Sequence, residues 1–489
     1  MKLTQLLPMT SLPLPAIEIS GIKLDSRQIA NGDLFVAVPG YLTDGRDYIE
    51  QALASGAAAI LAEADSLQLE FVGSIPVIKM PAVKEQLSML AGRFFNRPSE
   101  QAKVIGVTGT NGKTSVTHLV AQLAHALGHQ TAVIGTTGSG LLGRLLPEKH
   151  TTPDAITVQQ RLATLVAEGA SWIAMEVSSH ALVQRRVEGV QFSTVAATNI
   201  SRDHLDYHGT MDSYIGAKYR LFSDFDAQHQ VVNNDDSVLQ GWRNDQPGAI
   251  AVSLSATASP AIYASHIDYQ ADGTEFEVTY QNTGTAPQQA NIRSPLLGQF
   301  NVYNLLTAVA IVCAEGEALP AVAQACAKLT PVPGRMEAFQ KAGAALVVVD
   351  YAHTPDALQQ ALQALRKHCR GKLWCVFGCG GDRDRGKRPQ MGLVATEYAD
   401  EVVVTDDNPR TEAAEQIIAD ILAGTGSQAR TRVLQGRREA VLDTIARAAV
   451  DDVVLLAGKG HEDYQVIGTQ QLDYNERALV AAWVAEGQQ

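Results

Sequence analysis

Short uninterrupted apolar runs recur along the chain, and between them apolar residues return at helical spacing. "GDLFVAV", "AAAILAE", "KVIGV", "TAVIGT", "WIAMEV" and "STVAATNI" are runs of the first kind, bounded by glycine, proline or polar residues. Runs this short and this apolar predict strands covered on both faces. "GRDYIEQALASG" shows the helical spacing and closes at Gly56. Lys113 to Leu127 reads as a further helix, with Gly128 just past its end. "TTPDAITVQQRLATLVAEG" predicts another, with Thr152 as cap and Pro153 at the first helical position. Strands alternating with helices imply a parallel sheet with helices on its faces. "AIYASHIDYQADGTEFEVTYQ" departs from this: two runs around Asp272-Gly273 predict an antiparallel hairpin. Beyond Pro331 and Pro333 the alternation resumes, with strands "ALVVVD", "KLWCVF", "EVVVTD" and "DVVLLAG".

The pattern divides into three blocks. Asn96 and Pro98 in "FFNRPSEQ" break the first, and "LTPVPGRME" separates the second from the third. With 489 residues the chain is too long for one ordinary core. The expected architecture is α/β in three domains: residues 1–100, a central parallel-sheet phosphate-loop domain at 101–331, and a C-terminal Rossmann-like domain at 332–489.

Composition is that of a globular protein, 46% apolar and 19% charged. A net charge of −13 argues against a nucleic-acid partner. It leaves room for an acidic small substrate in a basic pocket. The five cysteines (Cys313, Cys326, Cys369, Cys375, Cys379) follow no zinc pattern and read as reduced thiols. Pro8 and Pro13 interrupt the N-terminal leucines, which argues against a signal peptide, and no run is long enough to span a membrane. A cytoplasmic monomer without membrane contact is expected.

The chemistry begins at "VIGVTGTNGKTS". It lies between a predicted strand and a predicted helix, the setting of a phosphate loop, but Val107 stands where G-x-x-x-x-G-K-[ST] has its first glycine. Gly109 and Gly112 let backbone N–H groups approach phosphate oxygens, and the helix beginning at Lys113 adds its positive end. Lys113 can reach β/γ-phosphates and Thr114 can hold Mg²⁺. Glu176 ends the "WIAME" strand, where a carboxylate points off the sheet's carboxyl edge. His204 and His208 in "SRDHLDYHG" are spaced like zinc ligands, but no third ligand or H-E-x-x-H accompanies them. In the last block, "GCGGDRDRG", "DDNPR" and "AGKGHE" each follow a strand, so three strand ends converge on one edge. Arg383 occupies the position where a dinucleotide fingerprint starting at Gly378 and Gly380 would need glycine.

"GVTGTNGKTS", "AMEVSSHAL", "TNISRDHLDYHG", "GQFNVYN", "GRME", "DYAHTPDA", "GGDRDRGKRP", "DDNPRTE" and "AGKGHEDYQ" occur in this order over nearly the whole chain. Together they closely resemble the Mur ligases, the ATP-dependent amino-acid-adding enzymes of peptidoglycan synthesis. In that family the loop is T-G-T-N-G-K-[TS], so Val107 is ordinary. "DDNPRTE" points to the branch that adds meso-2,6-diaminopimelate to UDP-N-acetylmuramoyl-L-alanyl-D-glutamate. The resemblance implies that ATP phosphorylates a carboxylate of the nucleotide substrate, that the incoming amine attacks the acyl phosphate, and that phosphate leaves.

Residue roles follow from the same resemblance. The loop Gly109, Thr110, Asn111, Gly112, Lys113, Thr114 and Ser115 would bind ATP, with Asn304, Arg335 and Asp350 near the nucleotide. Lys113, Glu176, His204 and Lys218 would form the catalytic set, and Mg²⁺ would be held by Thr114, Glu176, His204 and Lys218. Lys218 matches the lysine that is carbamylated in the family. Leu24, Ser26, Tyr41, Leu42, Thr43, His150, Thr151, Thr152, Ser178, Gln184 and Arg186 would hold the UDP substrate; His150 stands where the family pattern has asparagine. Arg383, Asp407, Asn408, Pro409, Arg410, Gly458 and Glu462 would contact diaminopimelate, with Arg410 on its far carboxylate. Three rivals remain open: a lysine-adding sister enzyme, a folylpolyglutamate synthetase, and a nucleotide switch without ligation.

Overall fold

The computed structural model describes residues 1–8, 10–40, 43–256, 260–270, 272–281, 286–426 and 430–486. The chain forms two compact units, Met1–Ala251 with Ala314–Gly316, and Val252–Cys313 with Glu317–Gln489.

The first unit opens with a five-stranded sheet, in order Gly21–Lys23, Asp33–Ala37, Ala59–Glu63, Ile75–Met80 and Gln68–Val72. The first four strands run parallel and the last is an antiparallel edge. "DLFVA" is buried along its whole length, as its unbroken apolar run predicts. Gly56, at φ +93°, ends the helix Ile49–Ala54 in the left-handed conformation that favours glycine. Leu34, Val36, Leu61 and Ile78 form a core with Leu87 and Leu90 of the helix Val83–Phe94. Ala155 and Ile156 of a later helix complete it, so this sheet and the phosphate-loop region share packing.

The rest of the first unit is a sheet built on Lys103–Thr108. Its parallel neighbours are Trp172–Glu176 on one side and Thr194–Ala197 on the other. Thr131–Gly135 lies beyond the former and His229–Asn233 beyond the latter. The chain thus leaves the central strand to one side first and returns to the other later. That reversal opens a crevice at the carboxyl ends, where α/β sheets bind ligands. The helix Lys113–Ala126 starts there, and Gly128 (φ +99°) follows its end. The helix Ala155–Ala167 is capped by Asp154, whose side chain accepts from Ile156 N and Thr157 N. This corrects the expected cap at Thr152, whose hydroxyl instead donates to Glu176 O and leaves Asp154 to take both amides.

The second unit contains the antiparallel strands Ile262–Gln270, Gly273–Tyr280 and Gln288–Ser294, the first two being the expected hairpin. Its other sheet has the order Glu337–Gln340, Leu346–Asp350, Val453–Ala457, Leu373–Phe377, Glu401–Val404, Thr431–Val433. Five strands run parallel and the first is an antiparallel edge. Val453–Ala457 is central, between the strands that end in Asp350 and in Phe377, so the loops after all four inner strands share one edge. Thr354 caps the helix Pro355–Arg366 through its hydroxyl, with Pro355 at the first helical position.

Candidate active site

The phosphate loop is fastened to the segment that follows the neighbouring strand. Thr110 N donates to Asn199 O at 2.8 Å, Asn111 N to Asn199 Oδ1 at 3.0 Å, and Asn199 Nδ2 returns a bond to Asn111 O at 3.0 Å. The Thr110 hydroxyl lies 3.0 Å from the Tyr214 hydroxyl and accepts from Ser201 N. Gly109 (φ +138°) passes so close to Thr198 that a Cβ would collide with its hydroxyl. These bonds fix the loop's shape without using a first glycine at Val107, which is buried in the strand. Lys113 Nζ donates to Gly109 O and Thr110 O, both at 2.9 Å, which places the ammonium over the loop. Ser115 lies in the first turn of the following helix.

Glu176 is buried at the end of its strand, 1% exposed. Its Oε1 accepts from the Thr114 hydroxyl at 3.0 Å and from Thr136 N at 2.8 Å, and its Oε2 from the Thr136 hydroxyl at 3.3 Å. Gly135 makes room for it: a side chain there would run into the carboxylate. Lys218, 1% exposed on the helix Met211–Ser223, donates to Gly109 O at 2.7 Å and lies over the Tyr214 ring. Burial, and then the charge of Lys113, holds its pKa well below the usual lysine value. His204 (φ +52°) is half-exposed, with its ring 4.9 Å from that of His180. His208 lies 3.0 Å from the Ser179 hydroxyl, a packing role rather than half of a zinc pair.

These donors fit a small, hard cation. Glu176 and Thr114 already meet through oxygen atoms, the ligand type Mg²⁺ prefers. Among the described residues no group of three or more His, Cys, Asp or Glu side chains could hold a metal. Thr114 and Glu176 would supply oxygen donors, and phosphate and water would supply further ligands, as Mg²⁺ sites commonly arrange.

A polar network adjoins Glu176. Thr152 Oγ1 donates to Glu176 O at 2.8 Å and accepts from Ser178 N. Thr151 Oγ1 lies 3.0 Å from Thr136 Oγ1. Arg186 donates to Thr152 O at 2.6 Å and, through two nitrogens, to Gln184 Oε1. The structure thus joins Thr151, Thr152, Ser178, Gln184 and Arg186 into one patch. Ser178 also caps the helix Ser179–Val183. His150 is exposed. In the five-stranded sheet's domain, Ser26 is buried and donates to Gln51, Leu24 packs on the core, and Thr43 is exposed; Tyr41 and Leu42 lie outside the described residues.

In the second unit, Asp350 Oδ1 accepts from Met336 N at 2.7 Å, and burial raises its pKa. The Arg335 guanidinium covers the Tyr351 ring at 4.8 Å. Asn304, buried on the helix Gln299–Ala314, donates to Asn301. Around the strand ends, Arg410 adopts φ +52°, uncommon for a side chain of its size. Its backbone is held there by bonds from Arg410 N to Val466 O and from Gly468 N to Arg410 O. Its Nη1 donates to Gly381 O at 2.8 Å. Pro409 precedes it, buried, and Arg383 is exposed on the opposite loop. Gly458 (φ +112°) donates from N to Asp350 O.

Two residues that sequence reasoning missed organise this edge. Lys459 is fully buried and binds Asp407, Asn408 and Glu462 together. Arg388, also fully buried, bonds Glu412, Asp420 and Gly380 O, tying the "GGDRDRG" and "NPRTE" loops to each other. "AGKGHE" and "GKRP" hold both residues, one after a strand and one in the first turn of the helix Lys387–Tyr398, but neither stretch carries a burial signal in its sequence. The five cysteines are free thiols; burial pushes Cys313, Cys326 and Cys379 up to about 12, which leaves them unreactive.

Comparison with known proteins matches three family models in succession. These are the Mur ligase family catalytic domain at residues 18–94, the Mur ligase middle domain at 107–312, and the Mur ligase glutamate ligase domain at 334–460. A solved UDP-N-acetylmuramoyl-L-alanyl-D-glutamate–2,6-diaminopimelate ligase is 36% identical, covering 100% of this chain and 99% of that one, with a TM-score of 0.75. The ADP complex of the MurF ligase from Thermotoga maritima shares the fold at 19% identity, 96% and 97% coverage and TM-score 0.61. A Mycobacterium tuberculosis folylpolyglutamate synthase does so at 20% identity, TM-score 0.58 and 76% of this chain against 96% of that one. The loop fastened between two strand ends, the buried Glu176 beside Thr114, and a full-length likeness at this identity have one common source: the chain belongs to the Mur ligase family of ATP-dependent, amide-bond-forming ligases.

Proposed function

We propose that this ligase joins meso-2,6-diaminopimelate to UDP-N-acetylmuramoyl-L-alanyl-D-glutamate, in the cytoplasm and as a monomer, as a step of peptidoglycan precursor synthesis. The observation that carries the reading is the 36% identity over both full chains to a ligase of that description. Residues 1–100 and the patch around Thr152 hold the UDP substrate, 101–331 bind ATP, and 332–489 receive the amino acid.

The phosphate loop orients ATP through its backbone N–H groups and the start of the helix Lys113–Ala126. Lys113, already over the loop, turns to the β/γ-phosphates. Thr114, Glu176, His204 and Lys218 would hold Mg²⁺, which would supply charge neutralisation for the transferring phosphoryl group. The substrate carboxylate takes the γ-phosphoryl group, releasing ADP. The amine of diaminopimelate then attacks the acyl carbonyl, the C–O bond to phosphate breaks, and one amide forms. Lys218 supports its role through its environment. An amine with so depressed a pKa is available in neutral form to add CO₂, losing one proton and becoming an anionic oxygen ligand.

Phosphate release tests the reading. It is expected only when ATP, UDP-N-acetylmuramoyl-L-alanyl-D-glutamate and meso-diaminopimelate are all present. Release with lysine in place of diaminopimelate selects the lysine-adding reaction, and release with a folate acceptor selects the folylpolyglutamate synthetase.

A further inference from the structure

Lys459 follows the strand Val453–Ala457 and is 0% exposed. Its Nζ lies 2.6 Å from Asn408 Oδ1, 3.1 Å from Asp407 Oδ1, 3.3 Å from Glu462 Oε2 and 3.0 Å from Tyr464 O. Asn408 donates from Nδ2 to the same Glu462 Oε2 at 3.0 Å. One buried ammonium therefore joins two carboxylates from different loops. On the same edge, Arg410 adds one guanidinium. Behind Gly458, Arg437 is matched by its own counter-ion, Glu476, so it adds no net charge. Arg383, on the opposite loop, is exposed to solvent; the buried or half-buried groups Asp407, Glu462, Lys459 and Arg410 together present two negative and two positive charges.

A pocket of balanced charge discriminates between amine donors by their net charge. Diaminopimelate carries two ammonium and two carboxylate groups and is neutral overall. Lysine lacks the far carboxylate and carries one net positive charge. In the proposed reaction Arg410 would read that carboxylate, and Lys459, bonded to Asp407, Asn408 and Glu462, would decide how much of their acidic charge is left to attract a cation.

We infer that Lys459 is a specificity-determining positioning residue: its buried ammonium holds Asp407, Asn408 and Glu462 in one arrangement and cancels one of their charges, setting the pocket for a zwitterion of zero net charge over a cationic amino acid. This inference rests on the proposed diaminopimelate-adding reaction and names what tunes its selectivity.

The test measures kcat/KM for meso-diaminopimelate and for L-lysine in the full-length enzyme, and their ratio. Lys459→Met keeps an unbranched side chain, one heavy atom shorter, and removes its charge. The ratio is expected to fall about tenfold or more, the size of effect one unit charge exerts across a site of low effective dielectric. KM for ATP and for the UDP substrate should stay within about twofold, a split that general loosening of the fold would not produce. Adding Asp407→Asn to Lys459→Met rebalances the charge and is expected to recover most of the ratio. Asp407→Asn alone leaves excess positive charge and should raise it. If Lys459→Met fails to fold, Asp407→Asn decides: a ratio that stays level or falls overturns the inference. An active wild type whose ratio is unmoved by Lys459→Met overturns the inference and leaves the proposed reaction standing. A wild type that uses neither donor overturns both.

Discussion

Arg410 combines an uncommon backbone conformation with a guanidinium anchored through one nitrogen to Gly381 O, so its orientation is set before any ligand arrives. Backbone strain of this kind is found where geometry has a use. Arg410→Ala leaves the far carboxylate of diaminopimelate unpaired, and the loss should be about 2–5 kcal/mol, or roughly thirtyfold to several thousandfold in kcat/KM for diaminopimelate. Arg410→Lys should lose nearly as much, because lysine cannot reproduce the planar fork. Nucleotide binding, followed by ADP titration, should change little; equal losses of both would refute the assignment. Lys218→Ala is expected to be nearly inactive and to recover in part with added short carboxylic acids, measured as phosphate release; full activity would remove Lys218 from the site. At this scale the sequence placed Glu176 at a strand end and Lys113 at a helix start, and the structure sets both there, Glu176 against Thr114 and Lys113 over the loop. It was not legible for Lys459, because whether a lysine is buried among carboxylates depends on loops far apart in the chain. Asp407 and Glu462 were read as diaminopimelate contacts, and the structure engages both with Lys459.

The strand Thr131–Gly135 and its neighbour Trp172–Glu176 show how an element can position a side chain it does not contain. Gly135 has no side chain at the point where the Glu176 carboxylate crosses, while Thr136, next along, bonds it twice. Gly135→Ala should displace the carboxylate, lowering kcat and raising the Mg²⁺ concentration needed for half-maximal activity, with the ATP loop itself unchanged. A variant with wild-type Mg²⁺ dependence would separate Glu176 from the metal. Elements were largely legible because their signals are local: apolar runs gave the parallel strands, and Gly56 and Gly128 marked helix ends. The cap of Ala155–Ala167 was misread by two residues because Thr-Thr-Pro-Asp offers several capping side chains, and the choice among them depends on Thr152 being drawn instead to Glu176 O. The partners of the edge strand Gln68–Val72 were not read at all, since its exposed, mixed face carries no period that singles out a neighbour.

For the whole molecule, buried groups that stay uncharged make stability depend on pH. His118 is buried on the phosphate-loop helix with Nε2 2.7 Å from the Thr137 hydroxyl, and burial lowers its pKa from 6.5 to about 4. The unfolded chain takes up a proton at this histidine below its ordinary pKa, and the folded chain does so only near pH 4. Its contribution is therefore intact above about pH 6.5 and is lost as pH falls toward 4, by about 3 kcal/mol at most. Thermal melts should show Tm falling across that window, and His118→Gln should flatten part of the fall; an identical slope in the variant would exclude His118 as a cause. One last contact links the chain's final helix to its interior. Glu476 begins the helix Glu476–Ala485 and holds Arg437 through two nitrogens, both side chains wholly enclosed, with Tyr474 donating to the same carboxylate. A stop codon after Asn475 would strip a guanidinium of its anion beneath the loops that carry Asp406 and Gly458, a loss of about 3–5 kcal/mol. Late nonsense alleles of this gene should then act as folding defects, and a screen for truncation-tolerant ends would find tolerance only beyond that turn.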